Sequence, residues 1–520
     1  MRIGRRKFIS GTTMLVSSAL TARTAGAATD AVTPGDVQKQ PTTVSPFVET
    51  RGGRSASPAV ETEALAAHCI NVKYSDLDAT TLRKAKHRVL DLIGCVIGGA
   101  ADPSNAALVD VVRSEAGPAE ASVIGYPLKA SASQAAMINA TLARSYDFEV
   151  MTVTVGNKYV GSHNSPTTSM TALALSERGN LSGKDFITAL VVGDDIASRM
   201  LASSGLDFAL GWDGAAIYPA IPAAAIASRL LGLSAQQAQD AFGLTLNTVC
   251  GTNQHDWDSS TDWKFQQGHA ARNAIFAAQL AKRGWVGVGD ALLSGYGFYG
   301  QFTSGIKHPE ILTANLGKEF YGEEYFKPYP SCAASHTSIE CALAMRDNNK
   351  LSPAQIERVI VRLPPPSMTS TLAEPFSPRR YMHCQANFSI HFQVANALLR
   401  GILRQEHYAE ESYQDPELVA LLKKVSLTAM PEGKPGIEIE VLTKSGKTLL
   451  ERNAGTPSRH PSVHPSSYEE IVAKFRQQVA FSGFVTKKTA DEIIQRVDEI
   501  DREENMADFV KVLTRTYRAV

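Results

Sequence analysis

Long alanine-rich segments with helical periodicity dominate the first 280 residues of this 520-residue chain and constrain its fold more than any other feature. They hold few β-branched runs, and several end in glycine, as at Gly179, Gly232 and Gly284. Seven such segments lie at residues 82–99, 130–145, 167–178, 185–203, 222–231, 235–250 and 270–282, and the first of them is clearly amphipathic. Because small alanine faces let helices approach closely, these segments predict a compact helical domain.

The composition changes between about residues 320 and 455, where apolar and polar residues alternate as they do in half-buried strands. Strands are predicted at residues 356–363 (IERVIVRL), 424–429 and 436–443 (GIEIEVLT), with a hairpin at 445–446 returning through 448–452. Helical stretches at 338–346 and 392–403 interrupt them, which predicts an α+β domain. The charged tail, residues 467–514, is helical again and is expected to pack against the first domain.

The N-terminus has the order of features found in a cleavable twin-arginine export signal. Residues 5–9 read RRKFI, an apolar stretch follows at 12–22, and a small-residue site lies at 25–27. We therefore predict a signal peptide at residues 1–27 and a flexible tether at 28–58, which is rich in Thr, Ser and Pro. The apolar stretch is too short to cross a bilayer, so the expected product is a periplasmic protein with no membrane association after cleavage.

The balance of charge argues against a nucleic-acid partner. The chain has 52 Lys and Arg against 52 Asp and Glu, and no basic stripe is evident. The predicted signal holds five basic residues and no acidic one, so the mature chain would carry a formal charge of −5. The six cysteines are dispersed without a C-x-x-C pair, and we expect most of them to be free and buried.

Two lysines stand next to predicted helix starts. Lys264 precedes a helix expected to begin near His269, and Lys327 precedes the helix that carries His336. A helix N-terminus offers unpaired N–H groups and a partial positive charge, so a lysine beside it suits a carboxylate or phosphate. Either lysine could equally be an ordinary solvated loop residue. If both bind substrate, they should form one compact positive pocket against the acidic surface.

Asp147 and His163 are the candidate acid–base pair. Asp147 ends a helical segment and His163 follows on a glycine-containing loop, so the two could share a proton, with the histidine poised near neutral pH. The alternative is that Asp147 caps a turn and His163 lies on the surface.

Standard cofactor and nucleophile motifs are missing from the sequence. There is no dinucleotide-binding G-x-G-x-x-G, no P-loop and no G-x-S-x-G elbow. His383-Cys384 and Cys332 with His336 offer zinc-type ligands, but their spacing matches no standard structural zinc motif. We expect no metal and no cofactor.

A series of short motifs, in order along the chain, resembles the MmgE/PrpD family, which includes 2-methylcitrate dehydratase, cis-aconitate decarboxylase and iminodisuccinate epimerase. The resemblance covers residues 74 to 515. The motifs are AKHRVLDLIG at 85–94, AAMIN at 135–139, DFE at 147–149, LLGL at 230–233, GHAA at 268–271, GW at 284–285, KPYPSC at 327–332 with His336, and ANFS at 386–389.

The resemblance implies a mainly α fold, in which both chain ends form a large all-helical domain and a smaller α+β lid is inserted. The corresponding ranges are 59–315 and 459–520 for the helical domain and 316–458 for the lid. It also implies a homodimer with cofactor-independent and metal-independent chemistry on di- or tricarboxylic acids, in a cleft between the domains.

Motif positions also imply site residues. The implied catalytic residues are Asp147, His163, Lys264 and Lys327. The implied substrate-binding residues are Asp213, Cys332, His336 and Ser389.

Two departures from the family pattern bear on the substrate. The usual D-x-D-D is DFEV at 147–150 here, and the loop to His163 is longer. Asp213 stands where decarboxylase-like members have a histidine. The loss of that imidazole argues against straightforward cis-aconitate decarboxylation.

The expected function is therefore an exported, cofactor-independent lyase or isomerase (a dehydratase, decarboxylase or epimerase) acting next to a carboxylate of a small polycarboxylic acid. His163, held by Asp147, would move the proton, and Lys264 and Lys327 would hold the carboxylate. The alternatives are a non-catalytic periplasmic carboxylate-binding protein and a metal-dependent hydrolase.

Overall fold

We describe the protein from a computed structural model, which defines residues 59–207, 210–377, 379–431 and 433–517. The predicted signal and tether lie outside these residues. No single helix in the described ranges is long and apolar enough to cross a membrane; the bent pair Ala79–Gly99 with Pro103–Ser114 meets the length and composition criteria only jointly.

Helices make up most of the described chain, in agreement with the predicted mainly α class. Their bounds are α1 Val60–Asn71, α2 Ala79–Gly99, α3 Ala106–Ser114, α4 Ala132–Arg144, α5 Ser165–Gly179, α6 Gly183–Ser204, α7 Gly214–Ile217, α8 Ala220–Leu230, α9 Ala235–Leu246, α10 Gln254–Asp258, α11 Asp262–Lys282, α12 Phe298–Phe302, α13 His336–Asn349, α14 Met382–Asn387, α15 Ile390–Arg400, α16 Glu410–Tyr413, α17 Pro416–Leu422, α18 Tyr468–Ser482, α19 Lys487–Asp498 and α20 Met506–Leu513. All seven predicted helices of the first 282 residues are confirmed. One start is wrong: α11 begins at Asp262, so Lys264 lies inside its first turn and not ahead of it.

The predicted strands of the α+β part are confirmed and form one four-stranded sheet. They are β6 Ile356–Leu363, β7 Val425–Ala429, β8 Ile437–Thr443 and β9 Thr448–Asn453, in the order β7-β6-β8-β9. Strand β6 pairs parallel with β7 and antiparallel with β8, and β8 and β9 form the predicted hairpin. Together with α13, α15 and α17, this sheet encloses a second hydrophobic core.

The expectation that the larger part is all-helical is wrong. Strands β1 Ala121–Val123 and β2 Leu128–Ala130 form a hairpin, and β3 Met151–Val155, β4 Lys158–Val160 and β5 Glu323–Tyr325 form a three-stranded sheet. Strands of three to five residues are too short to show a two-residue period, which explains why the pattern missed them. Strand β5 comes from the range assigned to the lid, yet it pairs with β3.

The larger of the two hydrophobic cores lies among the helices of the first part of the chain, and the C-terminal helices contribute to it. Ile471 and Phe475 of α18 and Phe509 of α20 are buried in that core, and α18 packs along α2. The tail therefore packs against the first part of the chain, as its helical pattern predicts.

Helix α4 is approached closely from two sides, and both approaches need a glycine. A Cβ added at Gly99 of α2 would lie 1.8 Å from the carbonyl oxygen of Leu142. A Cβ at Gly268 of α11 would lie 2.3 Å from the carbonyl oxygen of Met137. Helices α2 and α11 thus fix the position of α4, and with it the segment that follows Arg144.

We expect Gly268→Ala to lower the free energy of unfolding by about 1–3 kcal/mol, the usual cost of overpacking a close-packed interface. The added methyl group would meet the Met137 carbonyl and also the Thr141 hydroxyl, 2.4 Å away. Urea-induced unfolding measures the change. Gly289→Ala is the matched control, since Gly289 is exposed and nothing lies within 4 Å of an added Cβ. Equal effects of the two substitutions would contradict the close approach.

Candidate active site

A buried cluster of two cations and two carboxylates lies where α4 ends. The Arg144 guanidinium donates to Asp147 Oδ1 and to Glu149 Oε1, the latter at 2.8 Å. Lys327 Nζ donates to Asp147 Oδ1 at 2.5 Å and to the Asp147 carbonyl oxygen at 2.8 Å. The Asp147 backbone has a φ of +47°, which turns the chain back so that both carboxylates face Arg144. Burial of four charges is tolerated because they neutralise one another.

His163 joins this cluster through Glu149, a residue that the sequence argument did not select. Its Nδ1 lies 2.7 Å from Glu149 Oε1 and 3.8 Å from Asp147 Oδ1. The partner expected from the sequence, Asp147, is therefore replaced by Glu149. The His163 side chain is 19% exposed, whereas both carboxylates are fully buried, so His163 is the member of the cluster that solvent can reach.

The charges of the cluster decide the protonation state of His163. Burial and the neighbouring Arg144 and Lys327 lower the pKa of His163. Burial opposes ionisation of Glu149, but Arg144 and Lys327 outweigh it and lower the pKa of Glu149 to about 2. Burial is likewise outweighed at Asp147, whose pKa lies well below its usual range. A neutral His163 that donates from Nδ1 to an ionised Glu149 leaves Nε2 as a proton acceptor, the form a general base requires.

The loop that carries His163 is tied down by one buried carboxylate. Glu323 accepts hydrogen bonds from Ser162 Oγ at 2.6 Å, from the Asn164 amide at 2.6 Å and from the Ser165 amide at 3.0 Å. Because Glu323 belongs to β5 and Ser165 begins α5, the loop is fixed at both sides of His163.

Lys264 belongs to a second buried cluster, with Asp102, Ser104, Tyr381 and His383. Its Nζ donates to Asp102 Oδ2 and to Ser104 Oγ, both at 2.6 Å, and lies 3.4 Å from the Tyr381 hydroxyl. His383 Nδ1 lies 3.5 Å from Asp102 Oδ2. Burial lowers the pKa of Lys264, and it would raise that of Asp102, but Lys264 and His383 hold the Asp102 pKa well below its usual range.

Two aromatic contacts join the clusters. The rings of Tyr146 and His383 lie 4.6 Å apart, and the Arg144 guanidinium lies 4.9 Å from the centre of the Trp263 ring. Trp263 precedes Lys264 and Tyr146 precedes Asp147, so the two clusters lie side by side around the end of α4. All four residues expected to be catalytic are thus brought into one region.

The expectation of a compact positive pocket is wrong. The Lys327 side chain is 0% exposed and paired with Asp147, and the Lys264 side chain is 3% exposed and paired with Asp102. Two described cavities, of about 330 and 370 Å³, are lined by neither lysine. Each lysine therefore sits in a neutral pair, a feature that motif position could not reveal.

Two of the residues expected to bind substrate hold local structure. His336 Nδ1 accepts from the Tyr325 hydroxyl at 2.6 Å, and its Nε2 donates to the Ser331 carbonyl at 3.2 Å. Burial and Lys327 lower the pKa of His336 to about 3, so the ring is neutral. Ser389 Oγ caps α15 by accepting from the Phe392 amide.

The other two residues of that set lie beside the charged clusters. Cys332 is partly buried, and burial together with the charge of Asp147 raises its pKa to about 12, so it is a thiol. Asp213 caps α7 through Oδ1, and its Oδ2 lies 3.3 Å from His255 Nε2. The other ring nitrogen of His255 lies 2.9 Å from Asp256 Oδ1. Sequence reasoning missed His255 and Asp256, although an adjacent His-Asp pair was a visible signal.

The cluster could in principle take a cation, since ligand atoms of Asp147, Glu149 and His163 lie within 4.8 Å of one another. Arg144 and Lys327 already donate to these carboxylates and supply two positive charges for the two negative ones. A divalent ion would lie against both cations, so the donor set does not fit a metal. Within the described ranges, His383 with Cys384 and Cys332 with His336 do not form a metal-type group. All six cysteines are free, and four of them are buried.

Comparisons with known proteins find similarity to cis-aconitate decarboxylases. The chain is 24% identical to cis-aconitate decarboxylase of Mus musculus, over 87% of this chain and 93% of that protein. It is 27% identical to cis-aconitate decarboxylase of Aspergillus terreus, over 85% of this chain and 94% of that protein. It is also 28% identical to the cis-aconitate decarboxylase-like protein oryM of Aspergillus oryzae, over 53% of this chain and 60% of that protein.

Sequence models of one family cover most of the chain. The MmgE/PrpD N-terminal domain matches residues 63–310, and the MmgE/PrpD C-terminal domain matches residues 329–500. The Lys264 cluster draws on both matched ranges, since Asp102 and Lys264 lie in the first and Tyr381 lies in the second, whereas Lys327 of the other cluster lies between the two ranges. The chain therefore belongs to the MmgE/PrpD family.

Proposed function

We propose that the protein is a cofactor-independent lyase or isomerase that acts next to a carboxylate of a small di- or tricarboxylic acid. The observation that carries this proposal is a neutral, accessible His163 oriented by Glu149 and flanked by the buried cations Arg144 and Lys327. The similarity to cis-aconitate decarboxylases supports a lyase or decarboxylase.

Dehydration and epimerisation begin with removal of a proton beside a carboxylate, whereas decarboxylation begins with loss of CO2. Each builds negative charge that neighbouring carboxylate oxygens can share. His163 Nε2 would take the proton. Lys264 and Lys327 would stabilise the charge. Lys327 spends two of its three donors on Asp147 and keeps one for substrate. Lys264 would have to exchange its long bond to the Tyr381 hydroxyl for one to substrate. Both ammonium groups are sealed from solvent. Substrate entry therefore requires the α+β part of the chain to move away from α4 and α11.

Export and assembly stay predictions. We propose that the chain is exported by the twin-arginine pathway, functions in the periplasm and forms a homodimer. A non-catalytic carboxylate-binding protein is the second candidate, because the acidic motif at residues 147–150 and Asp213 depart from the family pattern.

Incubation in D2O distinguishes the two. The mature protein is mixed with citrate, cis-aconitate, 2-methylcitrate, tartrate or amino-dicarboxylates and followed by NMR. An enzyme should form product or place deuterium on a carbon next to a carboxylate. A binding protein should raise the melting temperature with one of these acids but leave its carbon-bound protons unchanged.

Glu149→Gln is expected to lower kcat by about 10²–10⁴-fold, since the neutral amide neither fixes the Nδ1–H tautomer of His163 nor stabilises its protonated form. Steady-state kinetics on the acid identified above measures the loss. Glu177→Gln is the matched control: Glu177 is also buried, but it accepts from Ser122 and Lys129 away from the site. A Glu149→Gln enzyme with full activity would contradict the role of Glu149 in orienting His163.

We expect the acid limb of the pH profile of kcat/KM to lie below pH 6.5. The base must be unprotonated, and the pKa of His163 is lowered from its ordinary value of 6.5 by burial, Arg144 and Lys327. Activity should therefore persist at pH 6.5 and fall as the pH drops through the lowered pKa. An acid limb above 6.5 would show that another group is the base.

Lys264→Met is expected to lower the rate by more than about 10²-fold, as loss of a charge-stabilising donor does. It should also destabilise the fold, because Asp102 would stay buried without its main cation. The double variant Lys264→Met/Asp102→Asn removes the unpaired charge, so it should regain stability but not activity. Recovery of activity in the double variant would mean that Lys264 has only a structural role.

A further inference from the structure

His255 lies between two carboxylates at the edge of the charged cluster. Its Nε2 lies 3.3 Å from Asp213 Oδ2, and its Nδ1 lies 2.9 Å from Asp256 Oδ1. Ionised carboxylates only accept hydrogen bonds, so both ring nitrogens must carry protons. With both carboxylates ionised, this geometry places a proton on each ring nitrogen and makes His255 an imidazolium, whereas His163 is neutral.

The surroundings of His255 favour this charge. Burial disfavours the charged ring, but hydrogen bonds to Asp213 and Asp256 outweigh it and raise the pKa of His255 to about 9. Burial would raise the pKa of Asp213, but His255 and Arg144 hold it below its ordinary value. At Asp256 burial outweighs His255 and Arg144, and the pKa is raised. The Cys384 thiol, 3.9 Å from the His255 carbonyl oxygen, is the other titratable group in contact, and burial keeps it protonated by raising its pKa.

The two segments that carry Asp213 and His255 are fastened together. The Asp213 amide donates to the Gly251 carbonyl at 3.1 Å, and the Asn253 amide donates to the Gly211 carbonyl at 2.9 Å. Asn253 Nδ2 also donates to the Trp212 carbonyl at 2.9 Å. Such a ladder of bonds holds Asp213 and His255 in fixed register, as an acid–base pair needs.

We propose that Asp213 and His255 form the proton-donating half of the site, opposite the proton-accepting half formed by Glu149 and His163. Asp213 is the more accessible of the two, with a side chain 11% exposed against 5% for His255. The Nε2 proton of His255 would first move to Oδ2 of Asp213, and the carboxylic acid so formed would then deliver that proton to the departing hydroxyl group or to the carbanion left by CO2. The N–H bond of His255 breaks, the new bond forms on the substrate, and a solvent proton restores the imidazolium afterwards.

This inference rests on the proposed function and assigns roles within it. One neutral and one protonated imidazole in the same site are the pattern expected of a base and an acid that act together. His255 acts through Asp213, so it is a positioning residue and proton source rather than a group that touches substrate.

NMR of the full mature protein, labelled with ¹⁵N in histidine, tests the charge without any substrate. One imidazole should stay doubly protonated above pH 8, titrate near 9 and vanish in His255→Gln. Asp256→Asn should lower that titration by at least one pH unit, because one of the two carboxylate partners is lost. His308→Gln is the control, since His308 also pairs with a carboxylate, Glu310, but in an exposed position. A His255 that titrates at or below 6.5 would overturn the inference.

Kinetics on an acid turned over in the D2O panel tests the relay. A proton donor must be protonated, so kcat should fall as the pH rises through about 9, and Asp256→Asn should move this alkaline limb to lower pH together with the NMR titration. A merely structural role would lower the rate without moving the limb. A limb that stays in place while the NMR titration moves overturns the relay. If no acid is turned over, the proposed function fails, and the NMR titration still shows separately whether His255 is held charged.

Discussion

The ion cluster at the end of α4 is the interaction on which the rest of the site depends. A buried charge is tolerated only where opposite charges and hydrogen bonds replace water, and removal of one partner typically costs about 3–5 kcal/mol. Arg144, Asp147, Glu149 and Lys327 meet this requirement only together, because each of the two cations contacts Asp147. Since Lys327 comes from a segment 180 residues further along the chain, the cluster closes only when both parts of the fold are in place.

A second layer of charges holds the same segment from behind. Lys474 of α18 donates to the Phe148 carbonyl at 2.5 Å and pairs with Asp91 of α2 at 2.7 Å. Asp91 also accepts from the Val150 amide at 2.8 Å. The C-terminal helices therefore do more than complete a hydrophobic core, because they fix the backbone on either side of Glu149. The unusual backbone of Asp147 is held in place by contacts from helices at both ends of the chain.

Sequence patterns predicted elements where local periodicity decides the structure. Strand β6 was predicted to the residue, because alternation over eight positions is a strong signal, whereas the three-residue strand β1 carries no such period. The site follows the same rule. Motif order located His163 and Lys264, but their partners Glu149 and Asp102 could not be assigned, since such pairings depend on how distant segments meet. Lys264 is paired with a residue 162 positions away, and no spacing rule reaches that far.

Histidine is neutral at one point of this site and positively charged at another because its neighbours differ. His163 has one hydrogen-bonded carboxylate partner, Glu149, and burial together with the cations Arg144 and Lys327 lowers the pKa of its ring. His255 has a carboxylate at each ring nitrogen, and Arg144 reaches it only through those carboxylates. Asp213, at the position where the resemblance leads us to expect a histidine, is thus accompanied by an imidazole from another segment. The departure from the family pattern then moves the acidic proton one residue further from the substrate and does not abolish it.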